Sequence, residues 1–563
     1  MINPLAVNGN IIDNTDERGL FKKKVVLDPL KSFSTQVNKE STIYVIENDY
    51  DLNNEVVKIP RDSKLEFNGG TIGNGTVDFS ESINHQVYYS WFSDFATCNR
   101  SLFFLDDKEL VIDRDIFINE SFSFPRNNFK HQNITIRGDV STREQKPRIV
   151  ADGVPCFKIY GHFFTIKDLS LGVRCPSKET ACIEIESPMA GLNDVDCIIS
   201  NCHFTHTGGG MAIKCKGRGI IVENCIFQTP TFSGLANNLN ISAISLYPEK
   251  EPKYPVQNGT QWHDEESSGR GVIIRNNRLH VSYPGSLVGL YINKECSDWG
   301  FHGVQIVNNL VDAEGSLCVI TAKNYGTLIS GNINYGRRAS SCMYIDNAYD
   351  MIVSNNVFGQ LRYSHSLDNE LYDIVFGLGH YLNDNLSSMD SYSDIKSVIV
   401  SNNILGSYKG VIFCDSGVKV SNLVISDNIF GKNSFENPKK DLGILTISNP
   451  KEINSVTIKN NCLPQEKKVN PLYCLIIYSS IPTTCKNIRL LNNSFFHNYL
   501  IDENVTLSNV IVHKSLASVG STGNRPTNDL EPTDVGFDYF DTDLNKFIIW
   551  MGSKWIDAKG RMQ

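Results

Sequence analysis

The sequence predicts an all-β protein: a right-handed parallel β-helix, or solenoid, that ends in a small C-terminal β-meander module. Two observations carry this prediction. A short pattern of β-forming residues followed by asparagine recurs along most of the chain, and the composition changes near residue 516. Internal repeats of about 20 to 50 residues are typical of solenoids, in which each repeat packs only on its neighbours.

The bulk composition describes a folded chain and excludes several classes of partner. The 563 residues are 41% hydrophobic and 20% charged, with a formal net charge of -9. No basic stripe is present to neutralise phosphates, so nucleic acid is not expected as a partner. No apolar run approaches the roughly 18 residues that a membrane span needs, so no membrane insertion is expected. The first residues lack the basic and apolar regions of a secretory signal, which favours synthesis in a cytoplasm.

The cysteines and histidines give no sign of a metal site. The 15 cysteines show no CxxC pair and no zinc-ligand spacing. We expect buried free thiols, because several cysteines lie in or beside apolar strand segments: Cys318, Cys342, Cys414 and Cys474. His203 and His206 form the closest histidine pair, but further ligands at a suitable spacing are missing. No metal and no cofactor are therefore predicted.

The repeat is clearest in Ile352-Val353-Ser354-Asn355-Asn356. Its first asparagine, or the residue that replaces it, falls at positions 201, 224, 276, 308, 331, 355, 402, 427, 460 and 492. The successive spacings are 23, 52, 32, 23, 24, 47, 25, 33 and 32 residues. The shortest spacings fit one coil of three strands and three turns. Spacings of 52 and 47 fit either two coils or one coil with a long insertion.

The residue types of the repeat have a structural explanation. The β-branched residues point inward and stack on the equivalent residues of neighbouring coils. The chain then turns sharply, and asparagine tolerates the left-handed conformation that such a turn requires. Its side-chain amide can also bond to the next coil. We therefore expect a structural ladder of asparagines at one turn and not a ligand-binding site.

The predicted organisation follows from where this pattern begins, breaks and ends. Residues 1–41 are expected to form an N-terminal arm or attachment segment, and residues 42–130 the first coils and a capping region. A short helix near Asn99–Asp107 is predicted to cover the open end of the solenoid. Residues 131–515 are predicted to form the main β-helix, and residues 516–563 the C-terminal β module.

Two polar insertions at 228–271 and 360–396 interrupt the repeat at nearly the same point of the coil. Long loops in a compact fold are commonly functional, so we expect them to flank a groove. Four polar strand ends are candidate catalytic residues: Glu295, Lys323, Asp346 and Asp415. Three aromatic residues are candidate substrate-binding residues: Trp262, Trp299 and Tyr335.

These residue types fit two reactions on polysaccharides. Paired carboxylates suit glycoside hydrolysis, with one as acid and one as base. A carboxylate beside lysine suits a lyase that removes a proton next to a uronate carboxyl group. The alternative is that all of these side chains are solvated residues of a polar face.

The C-terminal sequence resembles a known module. It contains Asn524-Arg525-Pro526, Tyr539-Phe540-Asp541-Thr542, Trp550 and Trp555-Ile556-Asp557-Ala558. These elements resemble the NRP, YFDT, tryptophan and WVDA elements of a short C-terminal module on tail fibre and tail spike proteins of phages that infect gut bacteria. The stretch from Asp51 to Val77 also resembles the first coils of β-helical proteins in such phages. The middle of the chain resembles the pectate-lyase-like superfamily only in its asparagine repeat, which implies a fold and not a reaction.

This resemblance implies a function. Proteins of this type are homotrimeric virion tail components that bind, and often cleave, a host surface polysaccharide, so host glycan and other virion tail proteins are the implied partners. No catalytic motif of the family matches this chain. Two alternatives remain: a bacterial β-helical polysaccharide lyase or glycoside hydrolase, and a purely structural virion component.

Overall fold

The computed structural model describes the following residues: 11–15, 21–124, 133–141, 144–160, 163–174, 180–186, 194–207, 211–216, 218–229, 242–247, 271–281, 286–291, 300–312, 316–335, 342–359, 372–377, 393–406, 412–414, 417–430, 442–462, 472–493, 497–514, 519–527, 530, 532, 535 and 537–563. The chain forms two compact units. The first comprises Met1–Phe232 and Ala243–His280, and the second comprises Ser233–Ser242 and Val281–Gln563. Both contain parallel β-helical coils, as the repeat predicts.

The first unit begins with short strands. Ile11–Thr15 pairs antiparallel with Phe21–Val26, which then pairs in parallel with Thr42–Ile46, and that strand with Lys64–Phe67. Two further parallel pairs are Tyr50–Asp51 with Ile72–Gly73 and Val56–Lys58 with Thr76–Asp78. The helical segments here are Phe33–Gln36, Tyr89–Trp91, Phe95–Ser101 and Leu102–Phe104.

The remaining strands of the first unit stack in register on three faces of the coil. On the first face they are Gln86–Tyr88, Glu109–Ile112, Ile134–Gly138, Phe164–Lys167, Asp194–Ser200, Arg218–Glu223 and Ile273–Arg275. On the second face they are Ile116–Ile118, Arg148–Asp152, Ser170–Arg174, His203–Thr207, Ile226–Thr229 and Arg278–Val281. On the third face they are Phe122–Phe124, Phe157–Tyr160, Ile183–Glu186, Ile213–Lys216 and Ser242–Tyr247.

The second unit repeats this arrangement. Its first-face strands are Gly300–His302, Gln305–Val307, Lys323–Tyr325, Leu328–Ser330, Ala348–Tyr349, Ile352–Ser354, Asp394–Ser401, Lys419–Ser426, Glu452–Lys459, Thr483–Asn493 and Val505–Lys514. On the second face lie Leu310–Val311, Ile333–Asn334, Val357–Gly359, Ile404–Gly406 and Ile429–Phe430. On the third face lie Ser286–Leu290, Ser316–Ile320, Met343–Ile345, Ile374–Phe376, Ile412–Cys414, Leu442–Ser448, Leu472–Tyr478 and His497–Ile501.

The asparagine repeat marks the turn between the first and second faces. The residue at each predicted position has a positive φ, for example +50° at Asn201, +57° at Asn355 and +54° at Asn492. Its backbone N–H donates to a carbonyl of the next coil, as from Asn355 to Ser401 at 3.2 Å. The same kind of bond joins Asn224 to Arg275 at 3.2 Å, so each of the two longest spacings is one coil with an insertion.

The side-chain ladder is built by the second asparagine of the pattern, one residue after the predicted position. In the second unit the amide of Asn332 donates to Asn356 at 2.9 Å, and Asn356 donates to Asn403 at 3.0 Å. The ladder continues through Asn428, Asn461 and Asn493. The side chain of the first asparagine is exposed, as at Asn355. Where it bonds to the preceding coil, as from Asn201 to Asp168 at 2.6 Å and from Asn460 to Asp427 at 3.1 Å, the bond lies on the surface.

The helix near residue 100 differs from the prediction in extent and in position. It begins earlier, at Phe95, and is N-capped by Asp94, whose carboxylate accepts from the Thr97 N–H at 2.7 Å. The Ser101 hydroxyl accepts from the Val77 N–H at 2.9 Å, and the Asn99 side chain accepts from the Ser123 N–H at 3.0 Å. Because the helix bonds to strands on both sides, it lies within the coil stack and does not cap an open end.

The core consists of aliphatic and aromatic side chains that stack from coil to coil. Phe204 and Phe227 stack with centroids 4.9 Å apart and ring planes 5° from parallel. Cys318, Cys342, Cys414 and Cys474 are buried free thiols, which confirms the prediction for them. Among the described residues, no helix is long and apolar enough to cross a membrane.

The C-terminal module is a β-meander in which Asp538–Asp541, Lys546–Trp550 and Trp555–Asp557 pair antiparallel. The first of these strands also pairs in parallel with Val519–Gly520, and a 3-10 turn spans Thr522–Asn524. The module has its own core of Leu530, Phe537, Tyr539, Ile548, Trp550 and Trp555.

Candidate functional site

Three of the seven predicted site residues lie in described parts of the chain: Lys323, Asp346 and Tyr335. The other four lie outside the described residues: Glu295, Asp415, Trp299 and Trp262. Each insertion contributes one strand to the third face, Ser242–Tyr247 from the first and Ile374–Phe376 from the second. Tyr372, Asp373 and Gly377, which flank the strand Ile374–Phe376, are also described. All other residues of 230–270 and of 360–392 lie outside the described residues.

Asp346 follows directly after the third-face strand Met343–Ile345. Its backbone N–H donates to the carbonyl of Ile320 at 2.8 Å, which fixes the residue to the preceding coil. Its carboxylate accepts a hydrogen bond from the hydroxyl of Ser393, on the following coil. The half-buried carboxylate is thus held at the bend between the third and first faces.

Lys323 lies at the same bend, one coil earlier. Tyr325 pairs with Tyr349 in parallel register, so Lys323 lies beside Asn347, the residue after Asp346. The side-chain amide of Asn324 donates to the Asn347 carbonyl and ties the two coils together. Lys323 and Asp346 therefore lie on neighbouring coils at the same bend of the second unit.

Tyr335 lies elsewhere in the coil. It follows the second-face strand Ile333–Asn334, and its N–H donates to Val311 at 3.0 Å. Its side chain is 37% exposed. Because Lys323 and Asp346 lie at the junction of the third and first faces, Tyr335 is not brought together with them.

Three aromatic side chains that are not among the seven predicted site residues stack beside this bend. The His302 and Tyr325 rings lie 4.7 Å apart at 12°, and the Tyr325 and Tyr349 rings lie 4.7 Å apart at 15°. We call these three residues the aromatic ladder. All three are partly exposed, so their ring edges and polar atoms line the surface of three successive coils. Their signal in the sequence is the separation of 24 residues between the two tyrosines, equal to the asparagine spacing from 331 to 355.

Tyr349 connects the aromatic ladder to a second carboxylate. Its hydroxyl donates to Asp394 Oδ2 at 3.1 Å, and the Asp394 backbone N–H donates to Asn347 Oδ1 at 3.0 Å. Burial of the phenol raises the pKa of Tyr349, and the negative charges of Asp394 and Asp346 raise it further. Tyr349 is therefore a neutral hydrogen-bond donor at physiological pH and not a base.

This arrangement suits a ligand rich in hydroxyl groups. Carboxylates accept hydrogen bonds, phenols donate and accept them, and lysine donates them. The aromatic rings add apolar surface that can contact the C–H groups of a sugar. No group of three or more histidine, cysteine or acidic side chains that could hold a metal occurs in the described portion of the chain.

Comparison with known proteins gives similarity to solved β-helical structures alone. No protein-family model matches the chain, and no curated protein matches it. Among solved structures, tailspike protein 3 of bacteriophage CBA120 is 11% identical with a TM-score of 0.27, covering 98% of this chain and 74% of that one.

Two further structures differ in their described activities. A mutant tailspike protein of E. coli bacteriophage HK620 is 10% identical with a TM-score of 0.33, covering 87% of this chain and 78% of that one. The alginate lyase AlyF-OU02, in complex with G6, is 11% identical with a TM-score of 0.35, covering 74% of this chain and 79% of that one. At these values the similarity does not extend to function.

Proposed function

We propose that this protein is a virion tail spike or tail fibre protein that binds a host surface polysaccharide at the aromatic ladder of its second unit. The observation that carries the proposal is the row formed by His302, Tyr325 and Tyr349, with the Asp394 carboxylate bonded to its end. A row repeated at each coil offers equivalent contacts to successive units of a linear polymer.

The placement in a phage tail rests on the C-terminal module. Its NRP and YFDT elements resemble those of tail fibre and tail spike proteins, and the same resemblance implies a homotrimer that contacts other virion tail proteins. Analytical ultracentrifugation of the purified chain tests the assembly, because a trimer of 63.0 kDa chains sediments far ahead of a monomer.

Cleavage of the polysaccharide is the second candidate function, and one specific observation favours it. Asp346 accepts from the hydroxyl of Ser393, the residue before Asp394, and the Asp394 N–H donates to Asn347, the residue after Asp346, so the two carboxylates belong to adjacent positions of neighbouring coils. Two nearby carboxyl groups are the requirement for glycoside hydrolysis.

The test is incubation of the purified protein with surface polysaccharide from candidate gut bacterial hosts, followed by size-exclusion chromatography of the glycan. Co-elution of glycan with protein indicates binding, and a shift of the glycan to smaller size indicates cleavage. Loss of cleavage by about a hundredfold in Asp346→Asn, with binding retained, assigns the reaction to this site. Neither binding nor cleavage with any host glycan contradicts the proposal and favours a purely structural virion component.

The bacterial-enzyme alternative predicts a different result in the same assay. A secreted lyase or hydrolase degrades a soluble polysaccharide without retaining it. Products that carry the unsaturated uronate of a lyase absorb in the ultraviolet, whereas hydrolysis products do not. Turnover of a plant or algal polysaccharide, with no affinity for any bacterial envelope glycan, would contradict the tail spike proposal and favour the bacterial enzyme.

A further inference from the structure

An exposed aromatic ring with two guanidinium groups occupies the second face of the first unit. Phe117 is the central residue of the strand Ile116–Ile118. The neighbouring side chains point inward, and Ile116 is 4% and Ile118 5% exposed. The Phe117 side chain points outward and is 61% exposed. Single exposed apolar residues are common on protein surfaces, so the ring alone indicates nothing.

The guanidinium groups come from the next two coils. Phe117 pairs with Val150, which pairs with Gly172. Arg148 lies two residues before Val150, and Arg174 lies two residues after Gly172. Their Cζ atoms lie 5.7 Å and 5.6 Å from the Phe117 ring centroid, which is the range of a cation–π contact. Two cations from opposite ends of their strands thus converge on one ring.

Neither guanidinium is neutralised within the described part of the chain. Arg148 makes no ion pair there, and its Nε atom is buried without a hydrogen-bond partner. The carboxylate of Asp115 accepts from the backbone N–H of Arg148 at 3.0 Å and forms no ion pair with the Arg148 guanidinium. Asp152 is adjacent to Arg174 in register, but no ion pair joins them, because the Arg174 guanidinium is directed to the Phe117 ring. Two positive charges therefore lie on this face without an ion-pair partner in the described residues, on a chain of net charge -9.

We propose that Phe117, Arg148 and Arg174 form a binding site for a carboxylate-bearing saccharide, such as a uronic acid residue. The planar fork of arginine matches a carboxylate in two parallel hydrogen bonds. The cation–π contacts hold both guanidiniums in place beforehand, so little side-chain freedom is lost on binding. The exposed part of the ring packs against the C–H groups of the sugar. The inference stands whether or not the aromatic ladder of the second unit binds a glycan.

The experiment uses the full chain and isothermal titration calorimetry with an α-1,4-linked galacturonate hexamer. Maltohexaose is the neutral counterpart of that probe. All proteins carry Tyr325→Ala, which weakens binding at the aromatic ladder, so that a loss of affinity relative to this background in a first-unit variant reports on the first unit. The test variants add Arg174→Gln or Phe117→Ser. Arg489→Gln, at an exposed arginine of the second unit, is the matched control for loss of one positive charge.

We expect the protein to bind the acidic hexamer. The affinity should fall at least tenfold in Arg174→Gln and in Phe117→Ser and stay unchanged in Arg489→Gln. Maltohexaose is expected to bind at least tenfold more weakly than the acidic hexamer. Any one of three results overturns the proposal. These are equal affinity for both hexamers, an equal loss of affinity in Arg489→Gln, and no binding of the acidic hexamer. Full competition by inorganic sulfate at constant ionic strength also overturns it, because the site would then select an anion and not a sugar. Thermal melting of each variant confirms that it is folded.

Discussion

The guanidinium of Arg525 forms two contacts of 2.7 Å with Oδ2 of Asp541, from Nε and from Nη2. Asp541 is fully buried, and the Arg525 side chain is 10% exposed. The same carboxylate accepts hydrogen bonds from the Thr522 hydroxyl and from the backbone N–H groups of Asp543 and Leu544. The NRP and YFDT elements are thus two halves of one network that fixes the turn before the meander.

Replacement of Arg525 by alanine is expected to destabilise the C-terminal module strongly. A buried carboxylate that loses its cation costs about 3 kcal/mol or more, because desolvation is no longer offset. Hydrogen exchange of the amides in residues 538–557 measures this loss in the full chain. Lys554→Ala removes an exposed cation of the same module and is expected to have little effect. Equal protection in the two variants would show that the Arg525–Asp541 pair does not stabilise the module.

The module is also expected to lose stability in acid. A hydrogen bond from the Arg561 guanidinium lowers the pKa of Asp557 from 3.8 to about 2. A pKa depressed in the folded state stabilises the fold above the unfolded value and loses that effect as the pH falls through the folded value. Protection of residues 538–557 should therefore decline between about pH 4 and pH 2.

Arg561→Gln provides the control for this pH dependence. The variant is expected to exchange faster than the wild type at pH 6, where the ion pair contributes, and to converge with it as the pH falls through about 2 and Asp557 becomes protonated. Exchange rates at each pH are compared after correction for intrinsic exchange. A constant difference between the two proteins across this range would mean that Asp557 does not titrate as described.

The two asparagines of the repeat have separable roles that substitution can distinguish. Asn356 is buried and makes ladder bonds to Asn332, Asn403 and the Ile329 carbonyl. Asn356→Ala leaves several buried groups without partners, at about 1 to 3 kcal/mol for each. Asn355→Gly is expected to be nearly neutral, because Asn355 is exposed and glycine accepts its φ of +57°. Thermal melting compares the two variants, and a similar loss in both would contradict the division of roles.

Most of the fold could be predicted from the sequence, because its signal is local. The first asparagine of each repeat marks a left-handed turn from its own backbone preference, as at Asn201 and Asn355. The pattern does not reveal which of two adjacent asparagines is buried, so it does not place the continuous buried ladder at the second asparagine, one residue after the left-handed turn. The capping helix was misplaced for a similar reason: its contacts with Val77 and Ser123 join segments that are distant in sequence.

The candidate site could be predicted only in part. Lys323 and Asp346 were found because they end or follow strands of the repeat. Asp394 was missed because it follows a long insertion, and its contact with Tyr349 spans 45 residues. The pairing of Arg525 with Asp541 likewise depends on a fold of the module that no local pattern specifies. The roles of Glu295 and Asp415, which lie outside the described residues, stay predictions.

The central claim is that the aromatic ladder binds the host polysaccharide, and the most direct test is the affinity of Tyr325→Ala for that glycan by surface plasmon resonance. Loss of the middle ring removes contacts worth about 1.4 kcal/mol, so affinity should fall about tenfold. Tyr478→Ala, at a tyrosine that is 37% exposed on the third face, is the matched control and should leave affinity unchanged. Wild-type affinity in Tyr325→Ala, or an equal loss in both variants, would contradict the claim.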